Sequence, residues 1–182
     1  MIKYKINDLK SFVENAVQSF LEEAPNLLDD GSQEQAITHR VAVYLEREFN
    51  DKDLNFDCEY NRHLDKSKSF VYADKIDCPC KSCKNRRKTF KIKDKKFRPD
   101  ILVHKRKEDC CNLIAIEVKR DEYCKFDEEK IIALTSEGDE YKYQLGLCLH
   151  FKDRRPMYKW FSKGKHLYFH LVSGEVKKSF NE

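Results

Sequence analysis

The chain has 182 residues, which is enough for one domain with a substantial core. Hydrophobic residues make up 40% of it, with 12 Phe and 9 Tyr, and this excludes a wholly disordered protein. No apolar run approaches the roughly 20 residues that span a bilayer, and the N-terminus lacks the apolar core of a signal peptide. We therefore expect a cytoplasmic protein with no membrane partner, whose eight cysteines are thiols or metal ligands and not disulfides.

Apolar residues with helical spacing predict two helices at the start of the chain. The first is about four turns long and ends before Pro25. The second opens at Ser32, where SQEQ forms a capping-box pattern with Gln35, and continues to about Phe49. A strand is predicted next, over residues 55–64.

A polar insertion over residues 65–96 separates this strand from the remaining elements. Four further strands are predicted at 97–104, 112–119, 143–151 and 165–172. A helix is predicted at 126–138, between the second and the third of these strands. Three consecutive strands favour an antiparallel meander, and a helical crossover brings the fourth strand into the same sheet. The predicted fold class is α/β: a central mixed sheet flanked by helices, in a single domain that spans 1–182.

Positive charge is concentrated in one segment of the insertion. Residues 81–98 hold ten Lys or Arg and one Asp, a net charge of +9, whereas the whole chain carries +4. Such a segment is either a solvated loop or an arm that attracts phosphates. Six cations are candidates for nucleic-acid binding: Arg62, Lys84, Arg86, Arg87, Lys88 and Lys91.

Two of the predicted strands carry charges within their apolar runs. Asp100 follows Pro99 in one strand, and Glu117 and Lys119 stand in the other. Because side chains alternate across a strand, Glu117 and Lys119 share a face, and a hairpin centred near residues 108–109 places Asp100 opposite Glu117. Adjacent carboxylates repel unless a cation lies between them, and oxygen ligands suit Mg²⁺ or Mn²⁺. The simpler alternative is a wet sheet face with ordinary exposed charges.

The stretch RPDILVHKR, followed by NLIAIEVKR, resembles the PD-(D/E)xK nuclease superfamily. Together with SQEQAITHRVAVYLEREF and CEYNRH, it also resembles a family of small bacterial proteins. The likeness extends from about residue 32 to residue 151. It implies a restriction-endonuclease-like fold and metal-dependent hydrolysis of phosphodiester bonds.

The resemblance also implies a role for each residue of the motif. The implied ligands of Mg²⁺ or Mn²⁺ are Asp100, Glu117, the carbonyl of Val118, and Glu34. Lys119 would be the catalytic lysine, and Lys130 and Gln144 occupy places where the superfamily sometimes puts auxiliary groups. For Glu34 an alternative stays open, because an acid in the first turn of a helix also favours the helix dipole.

The expected substrate is DNA, with RNA as an alternative. The insertion joins the end of the first strand to the start of the second, so the basic segment would flank the metal site, where a nuclease needs cations. A non-catalytic module that binds nucleic acid or protein on the same fold is the competing hypothesis. A homodimer is compatible with the resemblance, although no segment marks a dimer surface.

The insertion also contains a candidate zinc knuckle. Cys78, Cys80 and Cys83 lie within six residues, and thiolates at this spacing suit Zn²⁺. His63 is expected at the adjoining strand end and is the best candidate for the fourth ligand. The alternative is that the three cysteines are free thiols. Cys124 and Cys148 are expected to be packing residues.

Overall fold

The structure is a computed structural model that describes residues 4–29, 33–64, 66–70, 95–96, 98–108, 110–120, 123–172 and 175–180. Its helices are α1 (Ile6–Glu23), α2 (Glu34–Arg47) and α3 (Lys125–Thr135), with a 3-10 turn at Pro25–Leu28. Its strands are β1 (Asn55–Cys58), β2 (Arg62–His63), β3 (Lys66–Ser67), β4 (Ser69–Phe70), β5 (Lys95–Lys96), β6 (Ile101–His104), β7 (Ile114–Lys119), β8 (Leu145–Lys152), β9 (Arg155–Ser162), β10 (Lys165–Val172) and β11 (Glu175–Phe180). Within these ranges, no helix is long and apolar enough to cross a membrane.

Seven strands form one mixed sheet in the order β1-β6-β7-β8-β9-β10-β11. The first three pair antiparallel, which is the predicted meander. The crossover through α3 then sets β8 parallel to β7, also as predicted. The mixed α/β class is therefore confirmed, whereas its restriction-endonuclease-like assignment stays a prediction.

The sheet separates two apolar layers because alternate residues of its strands point to opposite faces. Helices α1 and α2 cover one face, where Ile101, Ile116 and Val118 are fully buried. Helix α3 covers the other face, where it packs with Leu102, Ala115 and the aromatic rings of two tyrosines. Odd and even positions of β7 thus serve different layers, and Glu117 belongs to the layer of α3.

The predicted strand over 55–64 is two separate elements. β1 ends at Cys58, and Glu59 follows with a φ of 52°, a left-handed conformation that ends the strand. Arg62 therefore lies in the β2–β3 hairpin and not on the strand beside Asp100, which corrects its predicted position. Helix α2 starts at Glu34, while the predicted capping residue Ser32 lies outside the described residues.

The sequence-based prediction omits β9 and β11. β9 contains Arg155, Pro156 and Lys159 among its apolar residues, and this mixture obscures the alternation of a strand. A proline lacks the N–H that a ladder needs, but Pro156 lies at the second position of β9, where it is tolerated. In β11 the pair Lys177-Lys178 has the same obscuring effect.

A buried carboxylate connects β1 to β6. Asp57 is 8% exposed, and its Oδ2 lies 3.0 Å from Nε2 of His104 and accepts a 2.8 Å hydrogen bond from Nε of Arg106. Burial by itself would raise the pKa of Asp57, but the hydrogen bonds from His104 and Arg106 outweigh it and lower the pKa. The folded protein therefore holds Asp57 in its ionised form.

We expect Asp57→Asn to lower the free energy of unfolding by about 1.5 kcal/mol at pH 7, because it removes charge-assisted hydrogen bonds. The folded-state pKa of Asp57 lies below the unfolded value of 3.8, so the ionised carboxylate stabilises the fold at pH values above 3.8. This contribution is lost as the pH falls from 3.8 toward the folded-state pKa. Urea unfolding at pH 7 and at pH 3 should therefore show a difference that shrinks in acid. The exposed Asp53→Asn is the control, and an equal loss in both variants would contradict the assignment.

Candidate active site

The register of the β6–β7 pair brings Asp100 and Glu117 together. Ile101 at the start of β6 pairs with Ile116. Asp100, the residue before β6, therefore faces Glu117, as the sequence predicts. Oδ2 of Asp100 accepts a 2.7 Å hydrogen bond from the N–H of Val118. Glu117 is 1% exposed. Two carboxylates thus lie at the point where one strand begins and its neighbour ends.

Helix α3 adds two further charges to this point. Asp127 and Lys130 are three residues apart on its buried face, and Lys130 Nζ lies 2.7 Å from Asp127 Oδ1. The same ammonium contacts Oε2 of Glu117. Lys119 Nζ lies 3.6 Å from Asp127 Oδ2. Glu117, Asp127 and Lys130 form a buried network, since buried charges are stable only when paired, and the partly exposed Lys119 joins it at its edge.

Asp127 is a site residue that the sequence analysis missed. Its only signal in the sequence is position: together with Lys130, Ile131 and Leu134 it follows helical spacing, and all four residues are buried. In α2, Glu34 likewise lies one turn before the buried stripe that starts at Ile37, and an acid at the start of an apolar stripe is a criterion for a site residue. Applied to α3, the same criterion would have identified Asp127.

Glu34 reaches the cluster from the first turn of α2. Its Oε1 accepts a 2.8 Å hydrogen bond from Lys119 Nζ, and its Oε2 accepts a 3.2 Å hydrogen bond from the N–H of Arg120. Both oxygens therefore contact the end of β7, and Glu34 orients the lysine in this arrangement. Its role as a metal ligand stays a prediction.

The environment raises the pKa of two of the buried carboxyls and lowers the pKa of the third. Burial raises the pKa of Glu117 well above its usual value, and the charge of Asp100 adds to this effect while Lys130 opposes it. Burial also raises the pKa of Asp100, against the opposing charge of Lys119. For Asp127 the neighbouring lysines outweigh burial and lower the pKa. With Glu34, the site has four carboxyls against two lysines, and the raised pKa values of Glu117 and Asp100 mean that a further cation, either a proton or a metal ion, is stabilised there.

One buried oxygen at the centre of the cluster bears on whether a divalent cation would bind there. Oε1 of Glu117 is buried and has no hydrogen-bond partner within the described part of the chain. A buried carboxylate oxygen without a partner is unusual, and a missing ion is one explanation for it. Among the described residues no three His, Cys, Asp or Glu side chains converge on a metal-sized position. The fit is therefore to an ion held by one or two carboxylates and completed by waters or substrate, which is typical of Mg²⁺.

Several other predicted residues lie away from this cluster or outside the described residues. Gln144 precedes β8, whose start lies beside the start of β7, at the strand end remote from Lys119. Cys124 and Cys148 are buried, as predicted for packing cysteines. The backbone of His63 is described but its side chain is not. The zinc and nucleic-acid candidates outside the described residues are Cys78, Cys80, Cys83, Lys84, Arg86, Arg87, Lys88 and Lys91.

The chain leaves β1 and enters β6 next to the carboxylates. Cys58 at the end of β1 pairs with Ile101 at the start of β6, and the N–H of Glu59 donates a 3.2 Å hydrogen bond to the carbonyl of Asp100. The segment between β1 and β6, which contains the insertion, therefore begins and ends at the Asp100 end of the sheet, although Arg62 and Lys68 within it lie near His104 at the other end.

Comparison of the chain with protein-family models, with curated proteins and with solved structures finds no significant match. The likeness to the PD-(D/E)xK superfamily therefore remains a resemblance of motif. Any function assigned to this protein rests on the geometry of its own residues.

Proposed function

We propose that this protein is a metal-dependent nuclease that hydrolyses phosphodiester bonds of DNA at the cluster of Asp100, Glu117 and Lys119. The observation that carries the proposal is the pairing of Asp100 with Glu117, whose buried Oε1 has no partner among the described residues. Lys119 is on the same face of β7 two residues further on. Two acids and a lysine in this order are suited to phosphodiester chemistry.

Asp100 and Glu117 would hold the metal ion, with the Val118 carbonyl as a further predicted ligand. Glu34 is also a predicted ligand, and it would have to exchange its hydrogen bonds with Lys119 and the N–H of Arg120 for the metal. When bound, Mg²⁺ or Mn²⁺ polarises a phosphodiester and makes water a stronger nucleophile. Lys130 contacts one oxygen of Glu117 and leaves the other without a partner in the described structure. Lys130 thereby orients the carboxylate that the metal needs.

Lys119 would stabilise the negative charge that develops on the phosphate. Burial would lower the pKa of this lysine, but Asp127 and Asp100 outweigh that effect and raise it. The amine is therefore protonated at neutral pH and acts as a hydrogen-bond donor and not as a general base. Glu34 and Asp127 hold it from two sides, and its side chain is 25% exposed, so substrate can approach it.

Direct titration of Mg²⁺ and Mn²⁺ into wild type and Asp100→Asn, with cleavage of DNA measured on the same samples, tests the proposal. We expect Asp100→Asn to weaken metal binding at least tenfold and to lower cleavage with it, because it removes a carboxylate ligand. Asp153→Asn, at an exposed turn, is the matched control and should bind metal as wild type does. Metal-dependent cleavage that is the same in all three proteins would rule out this site.

One observation favours a second candidate, a binding module without turnover. The ion pairs Lys130–Glu117 and Lys119–Glu34 neutralise part of the cluster without any metal. In that case nucleic acid or a protein partner would bind equally well in chelator, and neither DNA nor RNA would be cleaved at any metal concentration. Cleavage of RNA alone would retain the nuclease and reassign its substrate.

A further inference from the structure

A second polar pocket lies on the α3 face of the sheet, at the end opposite the carboxylate cluster. It is a shallow cleft that is partly open to solvent, and Tyr60, His104 and Tyr143 contribute aromatic rings to its wall. His104 is four residues along β6 from Asp100, which corresponds to about 13 Å of strand. The pocket is therefore separate from the proposed metal site, and it contains Arg62, one of the predicted nucleic-acid-binding residues.

The charge of the pocket is predominantly positive. Four of its lining residues are cations and one is an acid: Arg62, Lys68, Lys105, Lys107 and Glu108. The acid is already engaged, because Lys105 Nζ lies 3.4 Å from Glu108 Oε1. Asp57, the nearby buried carboxylate, is held by His104 and Arg106. Lys105 also lies 3.9 Å from Asp53 Oδ2, so its charge is compensated, whereas the ammonium of Lys68 has no such acid among the described side chains.

Lys68 is the most unusual of these cations. It is 1% exposed, its Nζ contacts the carbonyl oxygen of Arg62, and the same atom lies 4.9 Å from the ring centroid of Tyr60. Among the described residues, no carboxylate lies within the 4.0 Å of an ion pair with its ammonium group. Burying an ammonium without a counter-charge is costly, so an anion in the pocket would supply the missing partner.

The electrostatics of Lys68 agree with this arrangement. Burial lowers the pKa of Lys68 to about 8, and the negative charge of Asp57 offsets this only in part. The side chain remains mostly protonated at neutral pH and keeps an incompletely satisfied positive charge. A bound anion would stabilise that protonated form.

We propose that this pocket binds a phosphate group, with Lys68 and Arg62 as its hydrogen-bond donors and Lys105 and Lys107 at its rim. A tetrahedral phosphate accepts several charge-assisted hydrogen bonds, for which a compact ammonium and a forked guanidinium are well suited. The group could belong to inorganic phosphate or to a nucleic-acid strand, since the chemistry of recognition is the same. The proposal does not depend on cleavage at the carboxylate cluster.

Isothermal titration in chelator tests this pocket without involving the metal site. The ligands are inorganic phosphate and a thymidine dinucleotide with and without a 5′-phosphate, with chloride at equal ionic strength as the blank. We expect phosphate to bind wild type, and to bind Lys68→Met and Arg62→Gln about tenfold to a hundredfold more weakly, as for the loss of one charge-assisted hydrogen bond. Lys163→Met, an exposed lysine in the β9–β10 turn, should bind like wild type.

The outcomes separate the two sources of phosphate. Tighter binding of the phosphorylated dinucleotide than of inorganic phosphate supports the pocket and assigns it to nucleic acid, and equal binding supports it as a site for free phosphate. The proposal is overturned if no phosphate compound binds wild type, or if folded Lys68→Met and Arg62→Gln bind phosphate as wild type does. Lys68→Gln serves as a second variant if the methionine disturbs folding. A negative result here leaves the metal titration unaffected.

Discussion

Replacing Lys119 by Met is expected to lower metal-dependent DNA cleavage by about 10²–10³-fold, the usual effect of removing one donor that stabilises transition-state charge. Lys119 is the one charged residue of β7 that combines partial exposure with contacts to both Glu34 and Asp127. Methionine keeps the length and the apolar contacts of the side chain while removing its charge. Single-turnover cleavage at saturating Mn²⁺ measures the effect on the chemical step.

The same variant should remain folded and should still bind metal. The Lys119 pairs are partly exposed, so their loss should change the free energy of unfolding by less than about 1 kcal/mol. Lys159→Met is the matched control, because Lys159 is 33% exposed and also pairs with an acid, Glu128 at 2.7 Å, but lies on β9. If Lys119→Met cleaves DNA at the rate of Lys159→Met, Lys119 has no role in the chemistry.

Replacing Gly146 by Ala is expected to destabilise the protein by about 3 kcal/mol, at the upper end for overpacking of a core. Gly146 lies on β8 under α3, where a methyl group would come within 2.5 Å of Ile131 Cγ2 and 2.7 Å of Thr135 Cγ2. Both contacts are far too short, so α3 must move away from the sheet. Because Asp127 and Lys130 lie on the same helix, the variant should also lose cleavage activity under conditions where it is still folded.

Urea unfolding and cleavage assays on Gly146→Ala and Gly138→Ala measure this coupling. Gly138 is the control because a methyl group there meets only Ser136 Oγ at 3.8 Å, an ordinary contact. Its stability should therefore stay within about 0.5 kcal/mol of wild type. Unchanged stability and cleavage in Gly146→Ala would show that the position of α3 does not control the site.

Much of the sheet could be predicted from local patterns. Strand alternation placed Glu117 and Lys119 on one face of β7, and the position of the turn after β6 set Asp100 opposite Glu117. Both patterns depend on residues that are close together in the chain, so a single sequence is enough to detect them. β9 escaped prediction because Pro156 and Lys159 obscure its alternation, although its place between β8 and β10 determines its conformation.

The mixed α/β order of elements and the pairing of Asp100 with Glu117 follow from the amino-acid sequence, because backbone periodicity and turn position control both. The surroundings of that pair depend instead on packing between segments that are distant in the chain. Helix α3 brings Asp127 and Lys130 to it through packing over Gly146, a contact between segments that no local pattern encodes. The folding of the β2–β3 hairpin beside His104 likewise buries Lys68 and creates the second pocket. Charges that are distant in sequence meet there because the sheet face must be covered, and the cost of burying them then determines which of them pair.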